Sequence, residues 1–298
     1  MNVGIIGAGK VGCTLARAFK QSGWEISGIY SKRNESASWL AKEVDGIFPN
    51  DIKTTVEQAG IVFITVNDDA IEDIVKKIVN KFKRRTGFPL NGKAFFHCSG
   101  ALTSEVLAPL RELGADVGSL HPLMTFATKD MEPDELAGIS FCVEGDAHCM
   151  TLAIEITDLI ETNLLILNSP EDKPLYHIGA CMVSNYLTVL VDLACAVFSE
   201  INIPPKEAIN HCLPLIYSSL ENTLELGPGQ ALTGPIVRGD IKTVKTHLEA
   251  IKTRMPWLGD AYRILGLYAA AAGNADKKLS NSKYTKLVAL LEEAIADE

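Results

Sequence analysis

Apolar positions divide the chain into two halves of different rhythm. Up to about residue 168, short apolar runs alternate with stretches of helical spacing. Val3, Ile5 and Ile6 form the first run, and Val11, Leu15, Ala18 and Phe19 follow at helical spacing until Gly23. Residues 25–30 predict a second strand, 36–44 a short helix, and Ile47 with Phe48 a brief third strand before Pro49. Residues 61–66 are almost continuously apolar, as a parallel strand buried on both faces requires. Ile71, Ile74, Val75, Ile78 and Phe82 then mark one face of a helix that Asp68 or Asp69 can cap. Residues 81–85 are a charge run, read as a solvated loop. Strands are predicted at 93–97, 115–120, 139–143 and 164–167, with a helix capped by Thr103 and another over 147–161. This alternation predicts an α/β fold with a doubly wound sheet.

From residue 169 the pattern predicts no strands. Ser169, Pro170 and Asp172 are spaced as a helix start, and Pro174 makes Asp172 an alternative cap. Residues 176–201 predict one long helix, apolar nearly all round, ended by Asn202, Pro204 and Pro205. Further helices are expected at about 205–226, 240–254, 257–273 and 281–296. The expected organisation is an α/β domain over 1–168 and an all-helical domain over 169–298. The long helix should be central to the second domain or to a dimer interface. Its most apolar stretch, 186–198, is interrupted by Asp192 and reads as too short to span a bilayer.

Composition narrows the class. A net charge of -9 argues against a nucleic-acid partner. The seven cysteines show no CxxC spacing, which suggests reduced thiols in a cytoplasmic protein and no structural metal. The amino terminus reads as a strand with no basic region ahead of it, unlike a signal peptide.

The densest chemical signal lies between the first strand and helix. Gly7, Ala8, Gly9, Lys10, Val11 and Gly12 have GxGxxG spacing in a strand–turn–helix context. The first glycine permits a tight turn, the second lets the backbone approach a pyrophosphate, and the third lets helix and strand pack closely. Free N–H groups and the helix dipole favour the anion. A dinucleotide is therefore expected here. The second strand ends in Ser31, Lys32 and Arg33, where an acidic residue would meet a free ribose 2′-hydroxyl. Two cations and a hydroxyl suit a 2′-phosphate, so NADP is the expected cofactor; the alternative is an ordinary solvated basic turn.

Val66 and Asn67 occupy a strand's carboxyl end, where ligands of such sheets bind. Ser99 and His121 follow two later strands; Ser99 could bond a nicotinamide or substrate, and His121 could donate a proton. His97 and His121 could instead simply satisfy backbone groups. In the long helix His177, Cys181, Ser184 and Asn185 share one face. This polar stripe either bonds neighbouring helices or faces a cleft; His177 and Asn185 are read as cleft residues and Cys181 as packing. Arg238, in a Gly- and Pro-rich loop, is either half of an ion pair or a clamp for a substrate carboxylate.

Taken together, Gly7-x-Gly9-x-x-Gly12, residues 97–100, residues 121–126, Tyr176 and His177 with Ser184 and Asn185, and residues 232–240 carry a resemblance over nearly the whole chain. The chain resembles two-domain Rossmann-like oxidoreductases whose carboxyl-terminal half is catalogued as a domain of unknown function. That group is similar in architecture to pyrroline-5-carboxylate reductase, ketopantoate reductase, prephenate dehydrogenase and the β-hydroxyacid dehydrogenases. The resemblance implies a homodimer through the helical domain and an active site between domains. β-Hydroxyacid dehydrogenases place a catalytic Lys, with Asn one turn on, in the long helix; here the stripe begins with His177, and Lys173 lies at the helix start.

The sequence thus predicts an NADP-dependent oxidoreductase acting on a small, carboxylate-bearing metabolite at a carbonyl or imine carbon. His121 or His177 would supply the proton, and Asn185, Ser184, Ser99 and Arg238 would orient substrate. The alternatives are a non-catalytic NADP-binding sensor or scaffold, and an imine reductase of the pyrroline-5-carboxylate type.

Overall fold

The computed structural model describes residues 1–83, 87 and 89–296. Arg84 and Arg85, within the predicted charged loop, lie outside the described residues. The chain divides into two compact units, Met1–Asn185 and Tyr186–Glu298.

The first unit is built on seven strands: β1 (Asn2–Ile6), β2 (Glu25–Tyr30), β3 (Ile61–Ile64), β4 (Ala94–His97), β5 (Asp116–Pro122), β6 (Ser140–Gly145) and β7 (Asn163–Ile166). Their order is β2-β1-β3-β4-β5-β6-β7. Because β1 has β2 on one side and β3 on the other, the winding reverses beside it, which opens a crevice at the carboxyl ends of β1 and β3. The helices are α1 (Lys10–Gln21), α2 (Asn34–Glu43), α3 (Ile52–Gln58), α4 (Asp68–Phe82), α5 (Ala108–Arg111) and α6 (Ala147–Leu159).

Strand alternation sorts the core into two layers. Ile5, Phe63 and Phe96 face α1, α2 and α6, where Leu15, Phe19, Leu40 and Ile156 pack on them. Ile6, Ile64 and Phe95 face α3, α4 and α5, where Val56, Ile74, Ile78 and Leu110 pack. Phe19 packs tilted on Phe63 at a centroid spacing of 5.0 Å, and Phe63 stacks on Phe96 at 5.4 Å.

Several expectations need correction. Ile47 is not a strand residue; it makes only an N–H bond to Ile26 O at 3.1 Å and accepts from Ile29 N at 3.0 Å, before Pro49 and the positive φ of Asn50 turn the chain away. Neither Asp68 nor Asp69 caps α4: the helix starts at Asp68 itself, after Asn67. The sheet is not parallel throughout. The link from β5 to β6 contains only a short 3-10 turn, Pro133–Leu136, and without a crossover helix β6 returns antiparallel.

The first compact unit extends beyond the expected boundary at residue 168 to Asn185. It includes α7 (Lys173–Cys181), whose Lys173 is fully buried, and most of a π-helical turn, Met182–Tyr186. That turn interrupts the single α-helix predicted over 176–201 and leads into α8 (Leu187–Ser199).

The second unit continues with α9 (Pro205–Leu226), α10 (Pro228–Ala231), α11 (Pro235–Arg238), α12 (Ile241–Arg254), α13 (Gly259–Ala275) and α14 (Asn281–Ala296). Its core gathers Val244, Ala270, Leu279, Leu287 and Leu291. The expectation that the long helix is central to this core is not met within one chain: of α8 only Cys195 is buried and Val189 is exposed, as are Leu215 and Leu224 of α9. The helical run Pro170–Ser199 is also long and apolar enough, by length and composition alone, to cross a membrane, because it extends well upstream of the stretch judged too short.

Asp51 caps α3, accepting from Thr54 N at 2.9 Å and Thr54 Oγ1 at 2.8 Å. These donors hold its carboxyl below the ordinary value. The Asp51→Ala variant should lose about 1 kcal/mol, read as a lower urea midpoint at pH 7. The difference should shrink as pH falls through the depressed folded pKa, where the cap is lost anyway. An equal midpoint at pH 7 would deny the cap its role.

Candidate active site

The carboxyl ends of β1 to β5 lie along one edge of the sheet, since these strands run parallel. After β1 the chain turns at Gly7, with φ +117°. Gly7 N donates to Tyr30 O at 2.8 Å, and Thr65 Oγ1 donates to Gly7 O at 2.7 Å. A Cβ on Gly12 would overlap Gly7 O and Thr65 Oγ1, so only glycine lets α1 start this close to the strand. A Cβ on Gly9 would meet nothing nearer than Thr65 O at 3.8 Å, leaving open space in front of the turn. No side chain caps the amino terminus of α1, which leaves the first-turn N–H groups at Lys10, Val11 and Gly12 for an anion. The turn fits a pyrophosphate.

Ser31, Lys32 and Arg33 follow β2, and Arg33 immediately precedes α2. Lys32 and Arg33 are exposed. Lys129 donates to Ser36 in the first turn of α2 at 3.3 Å, a nearby cation that sequence reading missed because it is far away along the chain. Val66 is half-buried and Asn67 exposed beyond β3.

Ser99 is 6% exposed and fully engaged. Its hydroxyl donates to Asp68 at 2.8 Å and accepts from Ala101 N at 3.2 Å and Leu102 N at 3.0 Å. It shapes the turn after β4 and has no bonding capacity left for nicotinamide or substrate. His97 is likewise held: Nδ1 accepts from Ser99 N at 3.1 Å, and Nε2 bonds Thr103 O at 3.1 Å. Burial pushes its pKa down to about 3.

Beyond β5 lies a pocket of about 540 Å³ within the first unit. His121, Met124, Thr125, His177, Cys181, Ser184 and Asn185 line it, so the structure brings His121 together with the polar stripe predicted on the long helix. Ser184 and Asn185 fall in the π turn, a feature that recurs at functional sites. His121 Nδ1 and Tyr176 Oη are 2.7 Å apart, and Cys142 on β6 lies opposite His121 in the β5–β6 ladder. The His121 and His177 rings meet edge to face at 6.0 Å. Both converge on Gly100, where a Cβ would overlap His177 Nδ1. His177 Nδ1 is buried without a partner, while Nε2 and Cys181 Sγ are 3.5 Å apart. Burial, then the Lys173 charge and His177, push the His121 pKa down to about 4.

Behind the pocket lies a buried ion pair that sequence reading also missed. Lys173 and Glu144 are 0% and 1% exposed, with Nζ 3.4 Å from Oε1. Lys173 also bonds Ser119 Oγ on β5. Glu144 accepts from Ser104 N at 2.7 Å and Ser104 Oγ at 2.6 Å. Burial pulls the Lys173 pKa below its ordinary value, and Glu144 opposes that pull. The two Ser104 donors satisfy the rest of the Glu144 carboxylate. One signal was available: Glu144 is a charged residue inside an apolar strand.

Arg238 belongs to the second unit. Its guanidinium pairs with Asp240 at 3.0 Å, the ion-pair alternative of the two read from sequence.

Comparison with known proteins agrees with this architecture. Residues 1–122 match the Rossmann-like domain family, and residues 139–269 match a domain of unknown function, DUF2520. The chain thus joins a Rossmann-like domain to a DUF2520 domain. No curated protein matches it. Among solved structures, it is similar to an assigned NADP oxidoreductase of Bacteroides fragilis, at 24% identity and TM-score 0.70 over 90% of this chain and 97% of that one. It is similar to the reductive aminase of Aspergillus terreus, in complex with NADPH and ethyl-5-oxohexanoate, at 14% identity and TM-score 0.61 over 99% and 94%. It is also similar to the 1-pyrroline-5-carboxylate reductase of Streptococcus pyogenes, at 14% identity and TM-score 0.59 over 97% and 98%. At these identities the likeness is one of fold.

Glu144→Ala would strand a buried ammonium, so it should cost about 3–5 kcal/mol, read in urea unfolding, with Glu144→Gln costing less. An Ala variant as stable as wild type would mean that the pair is not buried.

Proposed function

We propose that the protein is an NADP-dependent oxidoreductase that reduces a carbonyl or imine carbon of a small metabolite. The carrying observation is that the glycine turn and the two-imidazole pocket share one sheet edge in one compact unit. Gly7, Gly9 and Gly12, with the N–H groups of Lys10, Val11 and Gly12, would hold the pyrophosphate. Lys32 and Arg33, with Ser31, would hold the 2′-phosphate; their exposed side chains support this. Bound NADPH supplies the hydride. His121 and His177 would face the substrate heteroatom that takes up the proton, and Asn185 and Ser184 would orient it.

We infer a narrower substrate class than the sequence reading. Among the described residues lining the pocket there is no Lys or Arg. An uncharged ketone or imine fits this wall better, and the similarity to a reductive aminase supports it. We further infer a homodimer, in which a second copy covers the exposed apolar faces of α8 and α9. The seven free cysteines support a cytoplasmic setting.

Titration with NADPH and NADH, followed by protein-to-nicotinamide fluorescence transfer, tests the cofactor. Wild type should prefer NADPH, and Arg33→Ala should weaken NADPH binding by about tenfold or more while sparing NADH. Preference for NADH would overturn the role of Lys32 and Arg33; binding of neither would overturn the oxidoreductase reading. With a substrate found by screening ketones and imines, His121→Ala or His177→Ala should cut turnover by about 100-fold. If neither does, the imidazoles are not catalytic.

A further inference from the structure

Residues four apart on a helix share a face, so His177 and Cys181 of α7 meet, with Nε2 and Sγ 3.5 Å apart. Both line the pocket of about 540 Å³ beyond β5. Cys181, read from the sequence as a packing residue, therefore faces a cavity. The imidazole is held toward the sulfur. Gly100, whose lack of a Cβ leaves room for the ring, lies against His177 Nδ1, and the His121 ring meets that of His177 edge to face at 6.0 Å. Nδ1 is buried without a partner, so the contact with Cys181 is the one hydrogen bond of the His177 side chain among the described residues.

A thiol bonded to an imidazole is an arrangement that makes a nucleophile, because the ring can take the proton that the sulfur must lose. The other thiols lack it. Cys13, Cys142, Cys149 and Cys195 are buried. Burial pushes the Cys98 thiol up to about 12. Cys212 on α9 is half-buried, and among the described residues no imidazole bonds it. The wall around Cys181 suits an uncharged ligand: Leu123, Met124, Ala180 and Val183 are apolar, and Thr125 and Asn185 are polar without charge.

We propose that Cys181, with His177 as its base, is a nucleophilic thiol that captures uncharged α,β-unsaturated ketones covalently in this pocket. The ligand class rests on the reductase reading above, which puts an uncharged carbonyl among these residues; the reactivity of the thiol does not. The thiol proton passes to His177 Nε2, and a sulfur lone pair forms the S–C bond at the β-carbon of the ketone. The C=C electron pair shifts toward the carbonyl as an enolate, and the proton returns from Nε2 to the α-carbon. Nothing is oxidised or reduced, and no group leaves. The thioether that results occupies the pocket, so an enone that enters blocks the site it was drawn to.

The test times the adduct at each cysteine. Full-length protein is treated with limiting methyl vinyl ketone and followed by peptide mass spectrometry. Cys181 should react about tenfold or more faster than Cys212, and His177→Phe should slow Cys181 by about tenfold or more while leaving the Cys212 rate unchanged. In urea-unfolded protein the two rates should converge. Acetylacrylate, an enone that bears a carboxylate, should show a smaller preference for Cys181 over Cys212. Equal native rates at the two cysteines, an unmoved Cys181 rate in His177→Phe, or a greater preference with acetylacrylate would overturn the proposal. If His177→Phe does not fold, the wild-type rates decide it, a ratio that is the same in native and unfolded protein counting against. Labelling needs neither cofactor nor turnover. Selective labelling of a protein that binds no NADPH would sink the reductase reading alone, and an NADPH-dependent reductase whose Cys181 reacts no faster than Cys212 would sink this inference alone.

Discussion

A lysine with no exposed surface can be tolerated only if its charge is met, and Glu144 meets it. That pair ties the start of α7 to the sheet, because Glu144 lies on β6 and Ser119, the other partner of Lys173, lies on β5. Within the next turn of α7, Tyr176 and His177 reach His121. The pocket thus depends on a contact one step behind it. The same constraint carries the first compact unit past its last strand to Asn185: the residues that open the helical half are structurally part of the sheet's edge.

The glycine turn obeys a second constraint, close approach. Gly12 sits against Gly7 O, and Thr65 Oγ1 closes the gap from β3. Backbone contact at this point starts α1 at the mouth of the crevice between β1 and β3, with unpaired N–H groups directed outward. The phosphate-binding and imidazole-bearing parts then share an edge for a topological reason: parallel strands deliver all their carboxyl ends to one side.

The second unit has a small core and broad apolar faces that a single chain leaves uncovered. Helix composition explains this. When a helix is apolar all round, one intramolecular contact cannot cover it, and the remaining face needs another chain or an apolar medium.

Local spacing was enough to determine the seven strands and most helices of the first unit, though not α3, together with the GxGxxG turn and the polar stripe of the long helix, because periodicity and glycine sterics act over a few residues. It was also enough to place His121 at a strand end. Only tertiary structure decided that Ser99 is consumed by Asp68 and its own turn, that Ile47 adds no strand, and that β6 runs antiparallel. Each of these depends on what a residue meets from a distant part of the chain. Lys173 shows the limit most clearly. Between Asp172 and Pro174 it reads only as a helix-start residue, and its burial is set by Ser119 and Glu144, more than 25 positions away, which no local pattern encodes.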